Sequence, residues 1–256
     1  MKNSIQISAS IVLYKEDNVE LLKTIESFLN TRLTKKLYLI DNTPNKQFEN
    51  VFHQQDIEYI GLGKNIGFGA GHNIILEKIK NNSKYHLILN PDVTFSSTTI
   101  PTLIEELENN KKLAMIAPKV LFPDGKHQYS CRRYPTSTEL FARRFQLFSR
   151  VFKNKINYGI YQDKDLTKPF IAEYVTGCFQ LYKTADFVAL KGFDERYFLY
   201  MEDVDICRKI DKLGKQKMYF PLEEITHVLK KGSEKNLQLF FRHVLSIFQY
   251  FKKWKN

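Results

Sequence analysis

The chain has 256 residues, 43% of them hydrophobic and 14% aromatic, enough apolar material for a real core; this excludes a wholly disordered protein. Cys131, Cys178 and Cys207 are far apart with no CxxC pair, which argues against a disulfide framework or a zinc site and fits a reducing cytoplasm. The net charge of +11 points to a polyanionic partner: nucleic acid, anionic lipid or a phosphate-bearing substrate.

The opening residues, Ile5–Tyr14, are rich in β-branched side chains and predict a strand in place of a charged-then-apolar leader. Val19–Leu29 puts Val19, Leu22, Ile25, Phe28 and Leu29 on one helical face. Lys36–Ile40 is a second strand ending in the turn signal Asp41-Asn42-Thr43-Pro44. Ile57–Ile60 is a third, followed by a glycine-rich turn and a helix through about Lys80. Tyr85–Leu89 is a fourth strand broken by Asn90-Pro91-Asp92, Thr99–Glu108 is helical, and Leu113–Ala117 is again a strand. From Leu121 to Pro169 the pattern loosens around Pro123-Asp124-Gly125 and the basic loop Arg132-Arg133-Tyr134-Pro135. Phe170–Tyr182 reads as strand, Glu202–Leu213 as a helix stopped by Gly214, Lys217–Phe220 as a late strand, and Leu237–Trp254 as a helix.

Alternating strands and helices imply an α/β fold, a mostly parallel sheet flanked by helices, with ligands outside the carboxyl ends of the strands. No apolar run approaches the roughly 20 residues of a spanning helix, so a soluble or peripheral protein is expected. The notable polar residues cluster at the expected ligand edge. Leu89-Asn90-Pro91-Asp92 delivers a carboxylate onto a rigid turn, suited to Mg²⁺ or Mn²⁺ bound with substrate phosphates; a strand-closing turn is the plain alternative. Glu202-Asp203-Val204-Asp205 places three carboxylates at a helix start beside Tyr197, Phe198 and Tyr200, a candidate general base and sugar-stacking wall; capping alone needs one carboxylate. Asp205, one turn from Arg208, is expected to form a helix ion pair. The five glycines between Gly61 and Gly71 would let the backbone approach a ligand, but the segment is neither a P-loop nor a dinucleotide fingerprint.

In this order, Tyr14, Asp41-Asn42, the Asn65–Asn73 stretch, Leu89-Asn90-Pro91-Asp92 and Glu202-Asp203-Val204-Asp205 resemble family 2 glycosyltransferases of the GT-A (Rossmann-like) type. Tyr129-Ser130-Cys131-Arg132-Arg133-Tyr134-Pro135 and the Gly192–Arg208 stretch are most similar to the bacterial rhamnosyltransferase branch that builds O-antigen and related surface polysaccharides. The resemblance covers nearly the whole chain. It implies an inverting transferase moving a sugar, with L-rhamnose from dTDP-rhamnose as the best guess and a UDP-sugar as the alternative. It implies that Asp41 reads the imide of the base beside Tyr14, and that Asn65, Gly67 and Asn73 shape the nucleoside site. Asp92 would hold Mg²⁺ or Mn²⁺ on the donor diphosphate, with Asn90 where many relatives have an Asp, which leaves metal dependence open. Asp203 would be the base, with Glu202 second to it. His227 would complete the metal or diphosphate site; a plain structural histidine is the alternative. Arg132 and Arg133 could clamp a diphosphate with their planar forks or be a solvated basic loop.

The expected organisation is a GT-A domain over 1–233, divided into a nucleotide-sugar-binding half (1–118) and an acceptor or catalytic half (119–233), with a C-terminal amphipathic basic helix over 234–256. Phe141–Lys153 and the tail interleave aromatic and basic residues, as interfacial helices do. Peripheral attachment to the inner face of the cytoplasmic membrane, near a lipid-linked or oligosaccharide acceptor, is therefore expected, with a homodimer through the tail as an alternative and no nucleic acid partner. A basic nucleic-acid-binding protein and a nucleotidyltransferase are the rival classes, and a non-catalytic relative is a third reading. The first leaves the Asn-Pro-Asp and Glu-Asp-Val-Asp stretches without a role.

Overall fold

The alternation of β-branched strands with amphipathic helices places a mixed sheet at the centre of the chain. The computed structural model describes residues 5–45, 48, 52, 54–144, 152–229 and 237–255. Strands β1 (Ile5–Leu13), β2 (Lys35–Asp41), β3 (Ile57–Gly61) and β4 (Ser83–Leu89) form a parallel block in the order β3-β2-β1-β4. The sheet continues through β10 (Phe179–Lys183), β6 (Leu113–Leu121), β11 (Gln216–His227) and β5 (Val93–Phe95), with β8 (Phe170–Ile171) also paired to β11. Strand β10 runs antiparallel to both of its neighbours, whereas β6 and β11 are parallel. The sheet is thus parallel within its first block and mixed beyond it. Strands β7 (Cys131–Arg132) and β9 (Tyr174–Val175) form a separate antiparallel pair.

Period-two burial divides the core into two layers. Ile7, Ala9, Ile11 and Leu13 of β1 face one side, where Leu21, Ile25 and Phe28 of α1 (Asn18–Leu29) and Ile100, Leu103 and Leu107 of α4 (Thr99–Asn109) cover them. Ser8, Ser10 and Val12 face the other side, under α2 (Phe68–Asn73), α3 (Leu76–Ile79), α7 (Thr184–Ala189) and α8 (Glu202–Lys212). Helices α5 (Ser137–Arg144) and α6 (Lys153–Gly159) lie in the central region, and α9 (Leu237–Lys253) closes the described chain. The expected halves 1–118 and 119–233 share one sheet, because β10 inserts between β4 and β6.

Several expected boundaries shift. The helix expected to run to Lys80 is two short helices, α2 and α3, parted at Ile74-Ile75. The Phe170–Tyr182 run divides into β8, β9 and β10, each serving a different partner strand. The late strand extends to His227, with a register shift between Phe220 and Glu224 around Pro221, which has no N–H to give the ladder. No described helix is long and apolar enough to cross a membrane. Residues 145–151 of the first aromatic–basic segment lie outside the described residues.

Candidate active site

Four chain segments converge on the carboxyl edge of the parallel block. At the end of β2, Asp41 is fully buried: its Oδ1 accepts from the Thr43 N–H at 2.7 Å and its Oδ2 from the Tyr59 hydroxyl at 2.7 Å. Each oxygen of the carboxylate thus already accepts one hydrogen bond, which leaves a second lone pair on each for the base reading expected from sequence. Its neighbour Asn42 donates to Asn65 Oδ1 (3.3 Å) and to the Gly67 carbonyl (3.0 Å), while its own Oδ1 is buried without a partner. Asn65 Oδ1 also accepts from the Gly67 N–H at 2.9 Å. Tyr14, 43% exposed, flanks this pocket just beyond β1, where the next residue's N–H donates to Thr43 at 3.1 Å.

The glycine-rich segment serves packing more than ligand approach. Gly67 has φ +98°, and a Cβ there would collide with the Phe198 carbonyl oxygen. A Cβ at Gly69 would come within 2.8 Å of Phe193, and one at Gly71 within 2.7 Å of Val12. Asn73, expected to shape the nucleoside site, is bonded to the segment before α8. Its amide donates to the Phe193 carbonyl and Glu195, and its Oδ1 accepts from the Phe193 N–H, so it latches the loop that leads into α8.

After β4, the Asn-Pro-Asp turn meets the end of β11. Asp92 Oδ1 lies 3.2 Å from His227 Nε2, with both residues almost fully buried, and Asn90 Nδ2 approaches the same nitrogen at 3.4 Å. Gln128 orients the ring: its Oε1 is 2.8 Å from Nδ1, and its Nε2 donates to the His227 carbonyl. Burial opposes a charged imidazole, but the Cys178 sulfur and the Asp92 carboxylate outweigh it and raise the His227 pKa to about 10. With nothing bound, His227 therefore keeps its proton and pairs with Asp92, and a cation would have to displace that proton. One carboxylate and one imidazole suit Mg²⁺ or Mn²⁺ only if a substrate supplies further oxygens, as a diphosphate does. Among the described residues no group of three His, Cys, Asp or Glu could hold a metal alone.

A short backbone bridge connects this pair to the second carboxylate cluster. The Asn90 N–H donates to the Cys178 carbonyl at 2.9 Å, and the Gly177 N–H donates to Asp203 Oδ2 at 3.2 Å. Glu202 and Asp203 open α8, after Tyr200 and Met201 in left-handed conformations (φ 69° and 70°). Two consecutive non-glycine residues there store strain of order 1–2 kcal/mol each, typical of a functional site. Burial and the neighbouring Asp203 hold the Glu202 pKa well above the carboxylate range, and its Oε2 is buried without a partner. Burial also raises the Asp203 pKa, but the N–H groups of Val204 and Gly177 and the charge of Arg132 act against it. Both carboxyls are thus held above their ordinary values by burial, with donors and a positive charge opposing the shift at Asp203.

Arg132, in β7, thus acts on the site, while Arg133 faces away from it. Arg133 binds both oxygens of Asp163 at 2.7 Å and stacks on Tyr158 and Tyr161, a structural use that removes it from the expected diphosphate clamp. The expected Asp205–Arg208 pair does not form either. Asp205 accepts from Lys253, Trp254 and Tyr197, and Arg208 donates to the Tyr250 hydroxyl. Gln128 and Gly177 carried no distinguishing local signal, because each matters through a partner remote in sequence.

The Asp92–His227 pair and the buried carboxylates that open α8 thus lie at the carboxyl edge of the parallel strands, where α/β sheets bind ligands. The fold is that of the GT-A class, and the sequence comparisons make the chain a glycosyltransferase. The sequence model of glycosyl transferase family 2 matches residues 8–188, and the chain belongs to that family. It is 29% identical to the rhamnosyltransferase WbbL of Escherichia coli K12 over 84% of this chain and 81% of that one. It is 24% identical to the N-acetylglucosaminyl-diphospho-decaprenol L-rhamnosyltransferase of Mycobacterium tuberculosis, covering 73% of this chain and 62% of that protein. A crystal structure of GalNAc-T7 with UDP, GalNAc and Mn²⁺ superposes with a TM-score of 0.66 at 14% identity, over 92% of this chain and 45% of that one. This last likeness shows the fold alone.

Proposed function

We propose that this protein is an inverting rhamnosyltransferase that moves L-rhamnose from dTDP-rhamnose onto a lipid-linked saccharide in surface polysaccharide synthesis, at the inner face of the cytoplasmic membrane. The observation that supports the reading is the bridge Asp92–Asn90–Cys178–Gly177–Asp203, which links the Asp92–His227 pair to the carboxylates that open α8. The likeness to two rhamnosyltransferases, one named for a diphospho-decaprenol acceptor, supports the sugar and the lipid-linked acceptor. A UDP-linked donor is the second reading, favoured by the fold's likeness to a protein solved with UDP.

In this reading Asp41 fixes Tyr59 and the 42–43 backbone as a wall of the nucleoside pocket, and Asn42 Oδ1 accepts a hydrogen bond from the base or ribose. Asn65 and Gly67 hold Asn42 in place, and Tyr14 covers the opening. Asp92 and His227 would hold Mg²⁺ or Mn²⁺ at the donor diphosphate, where the cation would offset the charge of the leaving group. Arg132 contributes a fixed positive charge on the same side. The acceptor hydroxyl attacks the anomeric carbon as the bond from that carbon to the diphosphate oxygen breaks. The electron pair leaves with the nucleoside diphosphate, and Asp203 takes the hydroxyl proton. A single displacement inverts the configuration, and no covalent enzyme intermediate is needed.

The test is nucleoside diphosphate release from dTDP-rhamnose and from UDP-sugars, with a polyprenyl-diphosphate-linked N-acetylglucosamine as acceptor. Acceptor-dependent release of dTDP, lost in Asp203→Asn, is expected. Release of UDP alone would transfer the assignment to the second reading, and release from neither would overturn both.

A further inference from the structure

Five large exposed apolar side chains of the described residues stand on α9. Leu237, Phe241, Val244, Leu245 and Phe248 expose 46–76% of their surface and recur at helical spacing as one outward stripe. Lys252, exposed one turn beyond Phe248, continues that face, and α9 contains no carboxylate.

The opposite face is bound to the catalytic side of the molecule. Ser246 donates to the Leu199 carbonyl at 2.9 Å, and the Arg242 guanidinium covers the Phe198 ring at 3.5 Å. Lys253 reaches both oxygens of Asp205 at 2.7–2.8 Å and also Asp194. Trp254 Nε1 donates to Asp205 at 2.7 Å. Asp205 is fully buried, two residues beyond Asp203 in the first turn of α8. The 194–201 loop that α9 grips runs directly into Glu202 and contains the left-handed Tyr200.

We propose that the outer face of α9 seats on an anionic lipid bilayer and that its inner face carries this seating, through Asp205 and the 194–201 loop, to the catalytic carboxylates. The inference rests on the reading of the protein as a transferase with a lipid-linked acceptor, and adds the surface that meets the bilayer and its link to the base. Charge selects the bilayer over a second copy. Two molecules of net charge +11 repel each other, and a dimer through this stripe would bury Lys252, whereas anionic headgroups accept both the net charge and the ammonium. Lys253 and Trp254 then act as positioning residues for Asp203.

The experiment is sedimentation of the full chain with vesicles of phosphatidylglycerol and phosphatidylcholine, and with phosphatidylcholine alone, combined with amide hydrogen exchange. The wild type is expected to bind the anionic vesicles at least ~10-fold more tightly, with weakening at high salt. The exposed-site variant Phe241→Ser/Phe248→Ser is expected to lose at least ~10-fold of that affinity. On binding, amides of residues 194–205 should exchange more slowly in the wild type but not in Lys253→Met, which still binds vesicles; Lys253→Arg should restore the slowing. Absence of a preference for anionic vesicles overturns the seating. So does a dimer in ultracentrifugation that the double serine variant dissociates without any vesicle binding. Vesicle binding that leaves 194–205 unchanged overturns the link. Affinity for dTDP and UDP measured without vesicles reports separately on the transferase reading, and its absence alongside intact vesicle binding would count against that reading alone.

Discussion

Glu202 and Asp203 are successive residues on one helical turn, yet Glu202 meets only its own backbone N–H, whereas Asp203 accepts from Val204 and Gly177 and feels the charge of Arg132. The distinction is testable with isosteres. Burial favours the neutral form of Glu202, so Glu202→Gln should leave kcat within about tenfold of wild type, whereas Asp203→Asn should lower kcat by about 10²–10⁴-fold. Equal losses would show that the two carboxylates share the proton. Because burial raises the Asp203 pKa, activity should fall on the acid side at a pH above the ordinary carboxylate range. Arg132→Met removes a charge that favours the ionised form, so its acid limb should move to higher pH in a kcat/KM profile. An unmoved limb would remove Arg132 from the site.

At the scale of elements, α2 is held between β1 and the 193–202 loop by glycines that no larger residue can replace. Gly67→Ala combines an unfavourable φ with a collision against the Phe198 carbonyl, and should cost more than about 2 kcal/mol in denaturant unfolding. Beneath α2, Ser10 bridges two buried histidines: its Oγ contacts His86 Nε2 and His72 Nδ1, while Ser8 Oγ lies 2.8 Å from His86 Nδ1. Burial lowers both histidine pKa values, that of His86 to about 3. The unfolded chain therefore binds more protons below pH ~6.5, and each such histidine should cost about 1.4 kcal/mol of stability per pH unit from there down toward the folded value. Urea unfolding between pH 7 and 5 should show this fall, and His86→Asn should flatten it; an unchanged slope would mean that His86 does not remain neutral in the fold.

What could be read from the sequence was what lies in local runs. The first four strands, α1 and α4 carry their pattern in contiguous residues, and Asn90-Pro91-Asp92 and Glu202-Asp203 announce themselves as clusters. The two-residue strands β7, β8 and β9 have no such pattern, since their existence depends on distant partners. Likewise Gln128 supports His227 from 99 positions away, Gly177 donates to Asp203 from 26, and Lys253 clamps Asp205 from 48. The roles of Arg133 and Asn73 shifted for the same reason: their partners, Asp163 and the Phe193–Glu195 loop, lie in other segments of the chain.

For the whole molecule, the central claim is that Asp92 and His227 draw a divalent cation to a nucleoside diphosphate at the sheet edge. Calorimetry of dTDP and UDP, with and without Mg²⁺ or Mn²⁺, on the wild type and Asp92→Ala tests it most directly. The account predicts nucleotide binding that the cation strengthens in the wild type and no longer strengthens in the variant, with the tighter nucleotide naming the donor base. Absence of binding by either nucleotide under every metal condition would contradict it.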